Sequence, residues 1–316
     1  MKIKDKNILI TGATGFVGAN LVRHFLKRGA NISIIKRRQS NLWRIKDVIK
    51  QISAYNADLL DQEKICRVVK SIKPDIILHT AAYGGHVTQD DQSQILKTNF
   101  DGTVNLLDSC LKSGFEFFVN TGSSSEYGIK DSPMRESDLL EPVTLYGASK
   151  ASASIYCQYA ANKYRLPIIT LRLFSPYGYF DDGNRAVSCI VLSCLKNKTV
   201  NIFSPDSVRD FVFIDDVVDS YEKAVERSDD ISGGIFNIGS GKQCSIKKLA
   251  GKIKKAFGDN TPIKYQKKYS NRIEPKSWVA DISRSREWLK WKPGFSIDKG
   301  LMKTMHWFRE NKGLYS

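Results

Sequence analysis

The sequence predicts an α/β protein: a doubly wound parallel sheet with a smaller C-terminal α/β lobe. Three observations predict it. A short apolar run, NILIT, passes at once into the glycine-spaced segment GATGFVG. Apolar strand-like runs and amphipathic helical segments then alternate regularly to about residue 173, the pattern of a parallel sheet with crossover helices. Past Leu173 the strict alternation ends.

The first strand leads into Gly12, Gly15 and Gly18. The first glycine allows a tight turn, the second lets backbone approach a pyrophosphate, and the third lets the next helix pack on the strand. That helix, Phe16 to about Arg28, aims its N-terminal amides at the phosphates. A Rossmann-type dinucleotide site follows, with Gly12, Thr14, Gly15, Phe16, Val17 and Gly18 around the cofactor.

The second strand, about Asn31–Ile35, ends in Lys36-Arg37-Arg38. An acidic residue here suits the ribose hydroxyl of NAD, and basic residues suit the 2′-phosphate of NADP. NADP(H) is therefore the expected cofactor, clamped by Arg37 and Arg38, with NAD as the alternative. A third strand within ISAYNADLLD places Asp58 and Leu59 beside the adenine.

A helix (Gln62–Ile72) and a strand (Ile76–Thr80) come next. The loop Ala81-Ala82-Tyr83-Gly84-Gly85-His86 then lies on the sheet's C-terminal edge, where such sheets bind ligands. Ala81 and Ala82 are expected against the cofactor. A helix over about Ile95–Ser113 carries Asn99, and a strand over Phe115–Thr121 runs into Ser123, Ser124 and Ser125. Thr121 and Leu173, at strand ends on the same edge, complete the expected cofactor contacts.

Tyr146 stands four residues before Lys150 at the head of a long helix, so both share one face. A free tyrosine titrates near ~10. A lysine ammonium one turn away favours the phenolate, so the pair reads as a tuned acid/base.

The dinucleotide domain is assigned to residues 1–173 with a returning segment at about 208–238. The substrate lobe takes 174–207 and 239–316, with a helix over Ala186–Lys196. Amphipathic helices near 247–257 and 297–311 read as packing elements. There is no internal repeat or low-complexity tract.

Composition narrows the function. The 316 residues are 41% hydrophobic and 26% charged, which suits a globular enzyme. No apolar run is long enough to span a bilayer, and no membrane partner is expected. The N-terminus enters a strand without a signal-peptide pattern. Six cysteines lack CxxC pairs or nearby histidines, so no metal site is expected and a reducing, cytoplasmic setting is. The net charge of +16 comes from lysines spread along the chain. No basic stripe is interleaved with aromatics, so no nucleic-acid partner is expected. Such a field would also attract an anionic substrate.

TGATGFVG, GSSSEYG and YGASK, in this order and spacing, resemble the extended short-chain dehydrogenase/reductases that act on nucleotide sugars, the NAD-dependent epimerase/dehydratase family. The likeness continues through LRLFSPYG, VRDFVFIDDVV, FNIGSG and ADISRSREWLKWKP. It implies Tyr146 as acid/base, Lys150 as its partner on the nicotinamide ribose, and Ser123 as the catalytic hydroxyl. It implies Arg209, with Arg272 as a second candidate, on the phosphates of a nucleotide-diphosphate sugar. Asn99, Phe174 and Ser175 match positions lining cofactor and substrate, and Ser124 and Ser125 face the sugar. Relatives pair as homodimers through helices equivalent to 95–113 and 147–164.

Three reactions share the scaffold. A 4,6-dehydratase carries Asp-Glu where this chain has Ser124 and Ser125, and Glu126 is out of register. A 4-epimerase recycles NAD⁺. A 4-keto-sugar reductase consumes NADPH, which suits the Lys36–Arg38 run. The loop TAAYGGH also resembles that of bacterial CDP-4-keto-6-deoxyhexose reductases, with Tyr83 and His86 toward the sugar. An NADPH-dependent reductase is the expectation, and an epimerase the alternative. A non-catalytic RNA-binding module of this fold would be expected to have lost Tyr146 or Lys150.

Overall fold

A computed structural model describes residues 1–86, 88–258, 261–266 and 275–315. Its strands are β1 (Asn7–Thr11), β2 (Asn31–Lys36), β3 (Ser53–Asn56), β4 (Ile76–His79), β5 (Phe117–Ser123), β6 (Ile168–Leu173), β7 (Ser175–Tyr177), β8 (Val200–Phe203), β9 (Val208–Phe213), β10 (Ile235–Ile238), β11 (Gln243–Ser245) and β12 (Ile263–Gln266). The large sheet has seven strands in the order β10-β6-β5-β4-β1-β2-β3, all parallel. Every residue of β4 and β6 is buried, as expected of strands covered on both faces.

The helices are α1 (Phe16–Lys27), α2 (Gln62–Ile72), α3 (Gln92–Leu96), α4 (Gly102–Ser113), α5 (Leu145–Tyr164), α6 (Ala186–Leu195), α7 (Ile214–Glu226), α8 (Ile246–Ala256), α9 (Ser283–Trp288) and α10 (Ile297–Glu310). Side chains start several of them. Asp61 accepts from the Lys64 amide at 3.0 Å to cap α2, and Thr144 accepts from the Gly147 amide at 3.0 Å to cap α5. Gly114 (φ +80) ends α4. One apolar cluster packs α2, α4 and α5 on one face of the sheet. A larger one runs from the α1 and α7 face into the smaller lobe.

The expected helix over 95–113 is interrupted. α3 passes through a π-turn at Lys97–Asp101 before α4 begins. The wider turn carries Asn99 into the interior. β9 also departs from the expected division. It pairs with β7 and β11 in a separate three-stranded sheet, and the return to the large sheet is made by β10. A parallel β8–β12 pair completes the lobe.

The strand order reverses between β1 and β4, and crevices of such sheets open at that point. The loops after β1, β4, β5 and β6 converge there.

Candidate active site

The glycines of the first loop do what their spacing requires. Gly12 has φ +67, and a Cβ on it would lie 2.5 Å from the Ala81 amide nitrogen. A Cβ on Gly18 would collide with the Gly12 carbonyl and stand 2.8 Å from Ala13 Cα. Gly15 is the N-cap of α1, and no side chain caps it. The first turn holds no acidic residue, and its amides have no intrahelical partners. This is a cradle for an anion, and it fits a dinucleotide diphosphate.

Three cavities join along the sheet edge. One of about 250 Å³ is lined by Thr14, Lys36, Arg37, Asp58, Leu59 and Ala81. A central cleft of about 480 Å³ runs past Gly15, Phe16, Val17, Ser123, Tyr146 and Lys150. A third of about 590 Å³, largely apolar, lies under Val187, Ile190, Ile202 and Phe211. Gly12, Gly15 and Ala82 are shared by the first two, and Ser175, Arg185 and Arg209 by the last two.

At the centre stand Ser123, Tyr146 and Lys150. Ser123 closes β5 in a capping box: its amide donates to Glu126 Oε1 at 2.7 Å, and its hydroxyl accepts from the Ser125 amide at 3.1 Å. Glu126 is fully buried and accepts from Arg172 Nε at 2.7 Å. It is therefore part of the loop's support and is not available as a dehydratase acid. Gly85 lies across the phenol, where a Cβ would sit 3.7 Å from the Tyr146 ring.

The electrostatics of the pair differ from the sequence expectation. Burial pushes the Tyr146 phenol above its ordinary value. The cation that pulls it back is Arg185, followed by the Ser123 hydroxyl, while Glu126 pushes it up. Lys150 is 2% exposed, and burial pushes its own ammonium down against Glu126 and Cys157. In this low-dielectric setting the charged forms of both partners are disfavoured. Of the groups named around the phenol, Arg185 is the cation that favours its charged form.

Other expected site residues divide. Thr121 and Leu173 reach the central cleft, and the Thr121 hydroxyl bonds that of Tyr221 at 2.6 Å. His86, Ser124, Ser125, Phe174, Ser175 and Arg209 also line it. Asn99 does not face the cofactor space. Its oxygen accepts from the Tyr83 amide at 2.8 Å, and its Nδ2 donates to the Tyr83 carbonyl at 2.8 Å and to Ser149 Oγ at 2.9 Å. It is fully buried and positions the loop after β4. Tyr83 is fixed through that backbone, and its side chain is not among the residues lining the cleft. Of the expected clamp, Arg37 lines the first cavity, whereas Arg38 is exposed and off it. Arg272 lies outside the described residues.

The structure adds residues that no motif marked. Trp278 donates from Nε1 to Ser124 Oγ at 3.1 Å, and its ring lies 5.3 Å beneath the Arg209 guanidinium. Asp181, 1% exposed, is pushed up to about 6 by burial, against Arg185, the Asp182 amide, Ser188 and Arg44. These residues come from the chain after β7 and from the segment before α9, where the periodic signal is weak. An Asp-Asp pair followed by an arginine just before a helix was the only available hint.

A glycine-cradled anion site, a tyrosine and a buried lysine one helical turn apart, and a serine hydroxyl on the neighbouring strand define a dinucleotide-dependent oxidoreductase of the short-chain type. The model of the NAD dependent epimerase/dehydratase family matches residues 8–239, and the chain belongs to that family. It is 28% identical to a UDP-glucose 4-epimerase of Mycolicibacterium smegmatis over 95% of this chain and 98% of the other. Its structure resembles that of UDP-glucose 4-epimerase from Thermotoga maritima with UDP-glucose (TM-score 0.88, 26% identity, 96% of this chain and 99% of that one). It also resembles UDP-glucuronic acid 4-epimerase from Bacillus cereus in complex with UDP-glucuronic acid and NAD (TM-score 0.86, 26% identity, 96% and 99%).

Proposed function

We propose that this enzyme is an NADPH-dependent reductase of a nucleotide-diphosphate 4-keto-sugar. The observation that carries the reading is at the end of β2. Lys36 and Arg37 line the adenosine-side cavity, and the residues directly after β2, Arg37-Arg38-Gln39-Ser40, include no carboxylate to receive a ribose hydroxyl. A cofactor with a 2′-phosphate matches that charge.

The chemistry follows from the side chains. Ser123 holds the C4 oxygen by hydrogen bonding, and Tyr146 delivers its proton. Lys150 places a buried amino group beside the cofactor space. The dinucleotide, when bound, supplies the hydride. Arg209, at the junction of the central and apolar cavities, is assigned to the sugar-nucleotide diphosphate, and the base would enter the apolar cavity. Ser124 and Ser125 supply no acid pair, which argues against dehydration.

The second reading, a 4-epimerase with retained NAD⁺, is favoured by the relatives just named. Denaturing the purified protein and identifying any released dinucleotide separates the two. An empty site or NADP(H), with about tenfold or greater preference for NADPH in titration, supports the reductase. Stoichiometric NAD⁺ makes it an epimerase.

We also propose a homodimer through α3–α4 and α5, where Leu96, Ile155 and Tyr159 are exposed. Light scattering giving the monomer mass would refute it. The six free cysteines support a reducing, cytoplasmic setting. None of the described helices is long and apolar enough to cross a membrane.

A further inference from the structure

Arg44 lies in a short turn after β2, outside every motif discussed above. Its side chain is 14% exposed, yet it lines the central cleft beside Gly15, Phe16 and Val17. Its Nε donates to the Phe180 carbonyl at 2.7 Å. Nη1 meets the Thr14 carbonyl only at 3.5 Å, and Nη2 stands 3.9 Å from Asp182 Oδ2. A guanidinium has five N–H donors. Among the described residues, one of these makes a bond of ordinary length and a second a marginal one. The unspent donors therefore belong to a mostly buried cation beside the uncapped first turn of α1.

The side chain is also held in place. Its guanidinium lies over the Trp43 ring at 4.4 Å, and its carbonyl accepts from Arg23 Nη2 at 2.6 Å. Phe180, whose carbonyl anchors Nε, has φ +63. That left-handed backbone is costly for a bulky residue and persists where packing overdetermines it. Here the packing is the Trp307 ring at 4.7 Å and the Arg23 guanidinium at 3.9 Å.

We propose that Arg44 grips the diphosphate of the bound dinucleotide, together with the α1 amides, through the donors its protein partners leave unused. This rests on the dinucleotide reading above. Asp182 then has a defined place. It comes from the loop after β7 and stands 3.8 Å from His86 Nε2 as well as 3.9 Å from Arg44. It faces a side chain from each of two loops of the large sheet, so the cofactor's anchor touches the sugar side of the cleft.

The test is a binding titration on protein freed of endogenous dinucleotide, with NADPH, ADP-ribose and adenosine as probes. Arg44→Met keeps the stem on Trp43 and removes the charge. It should weaken NADPH and ADP-ribose about tenfold or more, since both carry the diphosphate, and change adenosine, which carries no phosphate, less than about twofold. Arg44→Lys keeps the charge without the fork and should fall between Arg44→Met and wild type. Should Arg44→Met fail to fold, Arg44→Lys decides by the same comparison. Either folded variant binding NADPH and ADP-ribose as wild type does would overturn the proposal. So would an equal loss for adenosine and ADP-ribose, which would mean a merely structural role. Wild-type protein that binds neither NADPH nor NADH would instead overturn the dinucleotide reading itself.

Discussion

Glu126 and Arg172 form a buried ion pair directly behind the serine loop. One carboxylate oxygen accepts from Arg172 Nε at 2.7 Å, and the other accepts from the Ser123 amide at 2.7 Å. Among the described residues Arg172 Nη1 is buried with no hydrogen-bond partner, and the guanidinium lies 4.7 Å from the Tyr127 ring centre. Removing the carboxylate leaves a buried charge unpaired and the loop unanchored. Glu126→Ala should therefore lower stability by about 3–5 kcal/mol in urea denaturation. Glu126→Gln, whose single carbonyl oxygen can still accept from one of the two donors, should lose less. A variant Glu126→Ala as stable as wild type would mean that water replaces the carboxylate.

Tyr146→Phe removes the proton carrier and leaves the helix cap at Thr144 intact. Turnover should fall about 10²–10⁴-fold, with dinucleotide affinity within about twofold of wild type. Stopped-flow hydride transfer and a separate titration measure the two. Near-normal turnover would exclude Tyr146 as the acid.

Arg185 is the cation that holds the Tyr146 phenol down against burial. Removing it should raise the phenol further. The limb of the pH–rate profile that reports phenol ionisation should then move to higher pH in Arg185→Ala. A limb that stays in place, or moves down, would show that the phenol takes its charge environment from elsewhere.

Asp181 titrates near 6 in the fold and near 3.8 when unfolded. Between these values the folded state binds more protons, so its contribution to stability falls as pH rises. Asp181→Asn cannot titrate. Wild type should therefore lose stability relative to Asp181→Asn between pH 3.8 and 6, by up to roughly 3 kcal/mol. Denaturation at pH 4 and pH 7.5 reads the difference, and a constant gap would contradict it.

Much of the architecture was legible because parallel strands buried on both faces read as short apolar runs, and glycines that cannot carry a Cβ announce the turn after β1. Tyr146, Lys150 and Ser123 were legible because the pair shares a helix turn and the serine ends a strand. Asn99 was misread, since nothing local reveals a π-turn that rotates a side chain inward. The burial of Tyr146 and Lys150 was not legible, because spacing gives proximity but not burial. Arg44, Asp181, Arg185 and Trp278 come from irregular segments. Only tertiary packing brings them to the cleft.

The placement of Trp278 has a practical consequence. Its indole N–H is bonded to Ser124 Oγ at 3.1 Å, and a guanidinium lies above its ring. Indole emission responds to both its hydrogen-bonding partner and a nearby charge. A nucleotide sugar drawing Arg209 onto its phosphates would disturb the charge, and a sugar oxygen at Ser124 would disturb the bond. On the proposed substrate placement Trp278 is an intrinsic optical reporter beside the sugar, its share of the emission of five tryptophans read as the difference from Trp278→Phe. Occupancy can be followed on the native chain, without a coupled assay or an added dye, even before the true substrate is in hand.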